Sequence, residues 1–243
     1  MNSRPITRTV STAGISAMAL VSSLVSAVVA PSASAASCPN TEVVFARGTG
    51  EPPGVGTIGQ SFVSALGGRV GSKSLRTYAV NYPATSEWST GLDGIRNAVA
   101  HVESVAATCP GTAMVLGGYS QGAAVMGFVT SAAPPDGVDP ATVPQPLSPE
   151  VSDHVAAVVL FGTPNERAMN FLGEPPVTIG PLFAAKTLEL CVDNDPVCSD
   201  GLEFAAHNVD SYTSDGMVER GADFAASRLQ SSSAGPARTG FGH

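Results

Sequence analysis

The chain has 243 residues, with 12 lysines and arginines against 20 aspartates and glutamates, so its formal net charge is −8. An acidic chain with few basic clusters is a poor partner for nucleic acid, whose phosphates are bound by lysine and arginine. The same balance argues against docking on anionic lipid by charge alone. We therefore expect no nucleic acid among its partners.

The first 36 residues have the pattern of a secretory signal peptide. Arg4 and Arg8 precede the apolar run AGISAMALVSSLVSAVVA, and PSASAAS then offers small residues suited to cleavage after Ala35 or Ala36. The apolar run is just long enough for a membrane anchor, but the small-residue region favours cleavage. We therefore predict a secreted, extracellular protein without stable membrane insertion. Its mature part, with 10 basic and 20 acidic residues, carries a net charge of −10.

The four cysteines, Cys38, Cys109, Cys191 and Cys198, all follow the predicted signal peptide. An even number of cysteines in an exported chain indicates disulfides. Cys191 and Cys198 are close enough in sequence for a local loop, which leaves Cys38 to pair with Cys109. A zinc site is the alternative, but neither pair has the spacing of two to four residues typical of zinc ligands, and we expect no metal.

Strand-like and helix-like segments alternate along residues 37–230, which we predict to form one domain, followed by a disordered tail over 231–243. Strands are predicted at 42–46, 75–82, 112–118, 154–162 and 186–192, and helices at 56–70, 90–109, from Gln121 onward and at 215–230. Such alternation predicts an α/β fold with a mostly parallel sheet and helices on both faces.

Two segments lack a clear period. Residues 133–150 are rich in proline and predict a surface loop. Residues 165–183 mix glycine and proline with apolar residues such as Met169 and Phe171. These apolar residues either pack on the core or form a rim beside a site, and the sequence leaves both possibilities open.

The segment LGGYSQGAAV places Ser120 between two glycines at G-x-S-x-G spacing. An apolar, strand-like run precedes it and an alanine-rich, helix-like run follows it. This context predicts a nucleophile on a strained strand-to-helix turn, with its hydroxyl exposed at the top of a sheet. Glycines on either side are required where a Cβ would collide with the neighbouring strand and helix. A serine nucleophile also needs a base, an orienting acid and an oxyanion hole.

The base is best supplied by one of four histidines, His101, His154, His207 and His243. His101 lies within a predicted helix, His154 precedes a strand and His243 ends the tail. His207 follows the last strand, and loops that leave the carboxyl ends of parallel strands converge over one crevice. We therefore predict His207 as the base for Ser120.

The acid is expected between Ser120 and His207, because α/β-hydrolases run in the order Ser, Asp or Glu, His. The segment CVDNDPVCSDG offers Asp193, Asp195 and Asp200. Asp195 lies inside the predicted Cys191–Cys198 loop, which would hold its carboxylate in place, but spacing alone does not separate it from Asp193.

The oxyanion hole needs hydrogen-bond donors aimed at the developing negative charge. The backbone N–H of Gln121, at the start of the helix after the nucleophile, is the first candidate. The loop ARGTGE after the first strand supplies the second, with Thr49 donating through its N–H or hydroxyl.

Four segments in this order, ARGTGE, GYSQGA, CVDNDPVC and AHNV, together with the four cysteines, resemble the cutinase family and in particular the secreted cutinase-like esterases of mycobacteria and related actinobacteria. The resemblance covers roughly residues 38–230. It implies an α/β-hydrolase-type three-layer sandwich around a central, mostly parallel sheet. It also implies the cysteine pairing given above.

Carried over to this chain, the resemblance implies Ser120 as nucleophile, Asp195 rather than Asp193 as acid, and His207 as base. It implies Thr49 and Gln121 as the oxyanion hole. Thr49 stands where the family commonly has serine, which keeps a hydroxyl donor and adds a methyl group.

The segment GVGTIG (54–59) matches the glycine pattern of dinucleotide-binding sites. Such a site needs a tight turn directly after the first strand and an acidic residue at the end of the second. Here RGTGEPP intervenes and the second strand ends in VNYPAT. We therefore expect no cofactor.

Together, these patterns predict a monomeric, secreted serine esterase that hydrolyses carboxylic esters through a Ser-His-Asp triad and an acyl-enzyme. The expected substrate is a polyester, a short- or medium-chain ester, or a lipid. The alternative is a non-catalytic secreted binding or surface protein that retains the hydrolase fold.

Overall fold

The fold is built on one parallel sheet. A computed structural model describes residues 37–72, 75–134 and 138–233. Within these residues, five strands lie in the order β2-β1-β3-β4-β5, and all neighbouring pairs are parallel. The strands are β1 (Thr41–Ala46), β2 (Leu75–Ala79), β3 (Ala113–Tyr119), β4 (Val155–Phe161) and β5 (Thr187–Leu190). The strand order reverses between β1 and β3, and the crevice at such a switch point is where open α/β sheets bind ligands.

Helices cover both faces of the sheet. They are α1 (Gly56–Val70), α2 (Gly91–Thr108), α3 (Gln121–Val129), α4 (Pro149–Ser152), α5 (Glu166–Leu172), α6 (Pro181–Ala184), α7 (Val209–Ser214) and α8 (Met217–Ser233). Successive strand residues point to opposite faces. Val43 and Phe45 therefore pack with α1 and α8, whereas Val44 and Ala46 pack with α2 and α3. Strands buried on both faces explain the continuous apolar runs in the sequence, and the predicted three-layer α/β sandwich is confirmed.

The predicted elements agree with the structure to within a few residues at their ends. β2 ends at Ala79 instead of residue 82, because the Asn81 N–H bonds the Asn97 side chain at 2.8 Å instead of a neighbouring strand. α8 continues to Ser233, past the predicted start of the tail. The predicted signal peptide over 1–36 and residues 234–243 lie outside the described residues. No helix in the described ranges is long and apolar enough to cross a bilayer.

The two irregular segments have distinct structures. The proline-rich segment ends in α4, where the Ser148 side chain accepts a hydrogen bond from the Val151 N–H. Segment 165–183 contains α5 and α6. Of its apolar residues, Met169 is fully buried in the core, whereas Phe171 is 91% exposed.

Two disulfides join Cys38 to Cys109 and Cys191 to Cys198, the pairing favoured by the sequence. The first ties the residues before β1 to the end of α2. The second closes a short loop after β5. Both sulfurs of that loop lie near the Asp195 carboxylate, but a disulfide offers no thiolate for a zinc ion.

Candidate active site

The predicted site residues lie in loops at the carboxyl ends of the strands. Thr49 follows β1, Ser120 follows β3, and Asp195 and His207 both follow β5. Because all the strands are parallel, these loops meet at one edge of the sheet, at the switch point between β1 and β3.

Ser120 lies on a strained turn between β3 and α3. Its φ of 55° and ψ of −120° define a backbone conformation that costs a non-glycine residue about 1–3 kcal/mol of free energy. The Ser120 N–H donates to the Phe161 carbonyl at 2.9 Å, which fixes the turn to the end of β4. The flanking glycines behave as predicted: a Cβ at Gly118 would collide with the Gly122 carbonyl, and a Cβ at Gly122 would collide with the Ala46 carbonyl.

A continuous hydrogen-bond relay joins three of the predicted residues. The His207 Nε2 lies 2.8 Å from the Ser120 Oγ, and the His207 Nδ1 lies 2.7 Å from the Asp195 Oδ2. A carboxylate can only accept, so Nδ1 carries the proton and Nε2 is left to accept the serine hydroxyl proton. This is the tautomer that a general base requires.

The residues considered as alternatives for the acid and the base do not take part in the relay. Asp193 and Asp200 are exposed, whereas Asp195 is fully buried against His207. His101 lies in α2 with its Nε2 3.1 Å from the buried Glu42 carboxylate of β1. His154 precedes β4, at the opposite end of the sheet from the relay. His243 lies outside the described residues.

The Asp195 carboxylate is held by several donors. Its Oδ1 accepts from the Val197 N–H at 2.8 Å, and its Oδ2 accepts from both His207 and the Tyr212 hydroxyl, the latter at 2.6 Å. Burial alone would raise the pKa of the Asp195 carboxyl, but these hydrogen bonds outweigh burial and hold its pKa below the ordinary value. Asp195 is therefore ionised at neutral pH and able to orient the His207 ring.

Two tyrosines that the sequence analysis did not single out complete this cluster. Tyr212 of α7 is fully buried, and burial followed by its bond to Asp195 raises its pKa. The Tyr119 hydroxyl donates to the His207 carbonyl, and the two rings stack with centroids 5.4 Å apart. Tyr119 stands next to the serine in sequence, but nothing in the sequence shows that α7 turns Tyr212 back toward Asp195.

Replacing Tyr212 by phenylalanine is expected to lower the free energy of unfolding at pH 7 by about 1.5–3 kcal/mol, the range for a hydrogen bond to a charged group. The folded-state pKa of Asp195 is depressed, so its stabilisation is present above the unfolded value of about 4 and is lost as pH falls through the folded value. The deficit of Y212F should therefore shrink below about pH 4. Thermal unfolding of the wild type and of Y212F between pH 7 and pH 3 measures this deficit.

Tyr78→Phe provides the matched control for this experiment. The Tyr78 hydroxyl donates to the neutral Asn97 side chain at 2.9 Å, so its deficit should stay constant over the same range of acid pH. An equal Y212F deficit at pH 3 and pH 7 would contradict the role given to the Tyr212–Asp195 bond.

The oxyanion-hole candidates lie on either side of the serine turn. Gln121 occupies the first position of α3, where backbone N–H groups have no partner within the helix. Its Nε2 donates to the Thr85 carbonyl at 2.9 Å, and its Oε1 is buried with no partner among the described residues. Thr49 is exposed at the tip of the loop after β1. That loop reaches the serine turn, since a Cβ at Gly48 would collide with the Tyr119 ring.

The loop that carries Thr49 is fixed by Arg47 and Glu51. The buried Arg47 guanidinium donates to the Glu51 carbonyl at 2.8 Å and to the Tyr82 carbonyl. The Glu51 carboxylate accepts from the Gly48 N–H and the Thr57 N–H, each at 2.7 Å. Because Glu51 occupies the N-terminus of α1, GVGTIG offers no free helix end for a pyrophosphate.

Comparison with known proteins places the whole described domain in one family. Residues 37–229 match the family model named Cutinase. The chain belongs to the cutinase family. It is therefore a carboxylic ester hydrolase, and the resemblance seen in its motifs is confirmed.

Individual relatives agree with this assignment. Culp5 of Mycobacterium tuberculosis, a carboxylesterase-type protein, is 55% identical over 174 residues, which cover 72% of this chain and 98% of Culp5. Phospholipase Culp4 of the same organism is 46% identical over 213 residues, or 88% of each protein. The solved structure of Trichoderma reesei cutinase in complex with a phosphonate inhibitor is 31% identical with a TM-score of 0.57, covering 79% of this chain and 77% of that one. The predicted α/β-hydrolase-type fold is thereby confirmed.

Proposed function

We propose that this chain is a secreted serine esterase in which Ser120 is the nucleophile, His207 the general base and Asp195 the acid that orients the base. The relay of two hydrogen bonds, 2.8 Å from Ser120 to His207 and 2.7 Å from His207 to Asp195, carries the proposal. A nucleophile, a base and an orienting group within hydrogen-bond reach are the parts that acyl transfer through a covalent intermediate requires.

Acylation begins when the Ser120 Oγ attacks the ester carbonyl carbon and its proton moves to the His207 Nε2. The tetrahedral intermediate collapses, the bond to the alcohol oxygen breaks, and His207 returns the proton to the leaving alcohol. Water then attacks the acyl-enzyme with His207 again as base, which releases the carboxylic acid and restores Ser120. Asp195 stays ionised and stabilises the imidazolium in both halves of the reaction.

The developing oxyanion is stabilised by the Gln121 N–H and by Thr49 in this proposal. The first position of α3 supports the role of Gln121, because helix N-termini favour negative charge. The anchoring of the 47–51 loop by Arg47 and Glu51 supports the role of Thr49, because preorganised donors need no rearrangement as charge develops.

The proposal also includes the class of ester that the enzyme hydrolyses and its export from the cell. The names phospholipase and cutinase among the relatives support carboxylic esters in a broad sense, including polyesters, short- and medium-chain esters and lipids. Two disulfides and the predicted signal peptide support export. N-terminal sequencing of protein recovered from culture medium, starting at Ala36 or Ser37, tests the export. The relay is complete within one chain, so the proposed monomer needs no residue from a partner.

Covalent labelling with a fluorophosphonate probe tests the proposed nucleophile. The wild-type protein is expected to be labelled on Ser120, whereas Ser120→Ala should show no labelling and no hydrolysis of an acetyl ester, because the activated hydroxyl is gone. Ser64→Ala, at an exposed serine of α1, is the control and should be labelled like the wild type. A folded wild-type protein that resists the probe would favour the non-catalytic binding protein instead.

A further inference from the structure

The segment that follows β2 is bonded through its main chain to both sides of the proposed oxyanion hole. Its consecutive carbonyls each accept a hydrogen bond and form what we call the carbonyl clamp, residues Tyr82, Pro83, Ala84 and Thr85. The first two accept from the buried Arg47 guanidinium, at 2.5 and 3.3 Å, and the third accepts from the Gly50 N–H at 2.7 Å. Both donors belong to the loop that carries Thr49.

The last carbonyl of the clamp is bonded to the other side of the hole. The Gln121 Nε2 donates to the Thr85 carbonyl at 2.9 Å. Gln121 is also the residue whose backbone N–H is the other proposed donor to the oxyanion. The adjacent carbonyls of Ala84 and Thr85 therefore link the position of the Thr49 loop to that of the first turn of α3.

The clamp includes a backbone conformation that residues with a side chain rarely adopt. Ala84 has a φ of 53°, and it is 1% exposed. Such a conformation costs free energy and persists where the surrounding contacts determine the path of the backbone. The hydrogen bonds to the carbonyls of Pro83, Ala84 and Thr85 are contacts of this kind, so the bends of the clamp are set by the two loops that it joins.

Stability alone does not account for an amide at position 121. The Gln121 side chain is 1% exposed, and its Oε1 has no partner in the part of the chain that the structure describes. A buried acceptor without a partner costs free energy, which an apolar side chain of the same length would avoid. Groups that cost the fold stability are expected at functional sites.

We propose that the Gln121 side chain is a positioning group, which holds the backbone N–H of Gln121 and the Thr49 loop in register through the carbonyl clamp. The inference rests on the proposed function of Ser120 and of the oxyanion hole. The alignment of the donors matters when charge develops on the substrate oxygen, and not when the neutral ester binds. Loss of the bond should therefore lower kcat and leave KM unchanged.

Gln121→Met tests the proposal, because it keeps the length of the side chain and the backbone N–H while it removes the amide donor and the unpaired acceptor. The kcat for p-nitrophenyl butyrate should fall about tenfold or more, but by less than the roughly 100- to 1,000-fold that loss of an oxyanion donor costs. Labelling of Ser120 by a fluorophosphonate should slow by a similar factor, because the phosphonyl oxygen also gains negative charge as the serine attacks. The melting temperature should stay at the wild-type value or rise, since the unpaired Oε1 is gone.

Thr112→Val is the matched control for this variant. The buried Thr112 side chain also donates to a backbone carbonyl, that of Pro39 at 2.6 Å, but it precedes β3 at the opposite end of the sheet from the relay. Its melting temperature should fall, because a buried hydrogen bond is lost. Its kcat and its rate of labelling should equal those of the wild type.

The opposite responses of kcat and stability separate positioning from support of the fold. A Gln121→Met enzyme with the wild-type kcat would refute the positioning role while the esterase stands. An unfolded variant, or one whose melting temperature falls as in Thr112→Val, would also refute it, because the amide would then support the fold. If hydrolysis or labelling survives Ser120→Ala, the proposed function itself fails.

Discussion

Replacing Asp195 by asparagine is expected to lower kcat for ester hydrolysis by about 10⁴-fold while the fold is retained. Asp195 uses both oxygens as acceptors, one for the Val197 N–H and one for His207 and Tyr212. An amide keeps one acceptor oxygen. If that oxygen stays with Val197, the amide N–H₂ faces the His207 Nδ1 and the imidazole proton moves to Nε2, where it blocks proton transfer from Ser120.

His207→Ala is expected to have a larger effect, about 10⁶-fold in kcat, because it removes the proposed base itself. The Michaelis constants of both variants should change little, since neither side chain is proposed to bind the ester before reaction. Steady-state kinetics with a butyrate ester, together with the melting temperature, separate a loss of chemistry from a loss of fold.

Asp193→Asn is the matched control for the Asp195 variant. It makes the same chemical change two residues away, at an exposed carboxylate outside the relay. Its kcat should equal that of the wild type. Turnover by Asp195→Asn within tenfold of the wild type, or a large loss in Asp193→Asn, would remove Asp195 from the mechanism.

The serine turn is the part of the site that local sequence predicts best. The two glycines of GYSQG are required by contacts within the same strand-turn-helix unit and with the adjacent β1, and such short-range demands leave a pattern that can be recognised. The convergence of Ser120, Asp195 and His207 follows from the topology of the sheet, because each residue lies in a loop at the carboxyl end of a strand.

The support of Asp195 could not be predicted in the same way. The loop closed by Cys191 and Cys198 is also held by α5, where Arg167 donates to the Pro196 and Ser199 carbonyls at 3.0 and 2.9 Å. These acceptors are backbone atoms about thirty residues further along the chain. Backbone acceptors place no demand on residue type, so the sequence contains no sign of the contact.

The same limit applies to an apolar cavity of about 210 Å³ that lies between α2 and α3. The apolar period of α2 predicts a buried face, but it does not distinguish residues that pack tightly from residues that border a cavity. Val102 is fully buried in the core, whereas Ile95, two turns earlier, lines this cavity. Residues 143–146 of the proline-rich segment also line the cavity, and their sequence has no periodic signal.

Gly122→Ala is expected to damage both stability and activity. Gly122 lies in the first turn of α3, and a Cβ there would collide with the backbone carbonyls of Ala46 and Arg47 at the end of β1. Backbone atoms of a central strand cannot move aside as a flexible side chain can, so α3 must shift. Overpacking of this kind costs about 1–3 kcal/mol in unfolding free energy. A shift of about 1 Å at the Gln121 N–H and the Ser120 turn would lower kcat on the order of 100-fold.

Gly68→Ala makes the identical change in α1, where nothing lies within 4 Å of the new methyl group. It should raise the unfolding free energy by about 0.5–1 kcal/mol, because alanine favours the helix over glycine, and leave kcat unchanged. Denaturant unfolding and ester kinetics on the two variants therefore isolate the contact between α3 and β1 from the general effect of replacing a helical glycine. Equal behaviour of the two variants would show that the close approach of β1 to α3 is not what holds the proposed oxyanion hole in place.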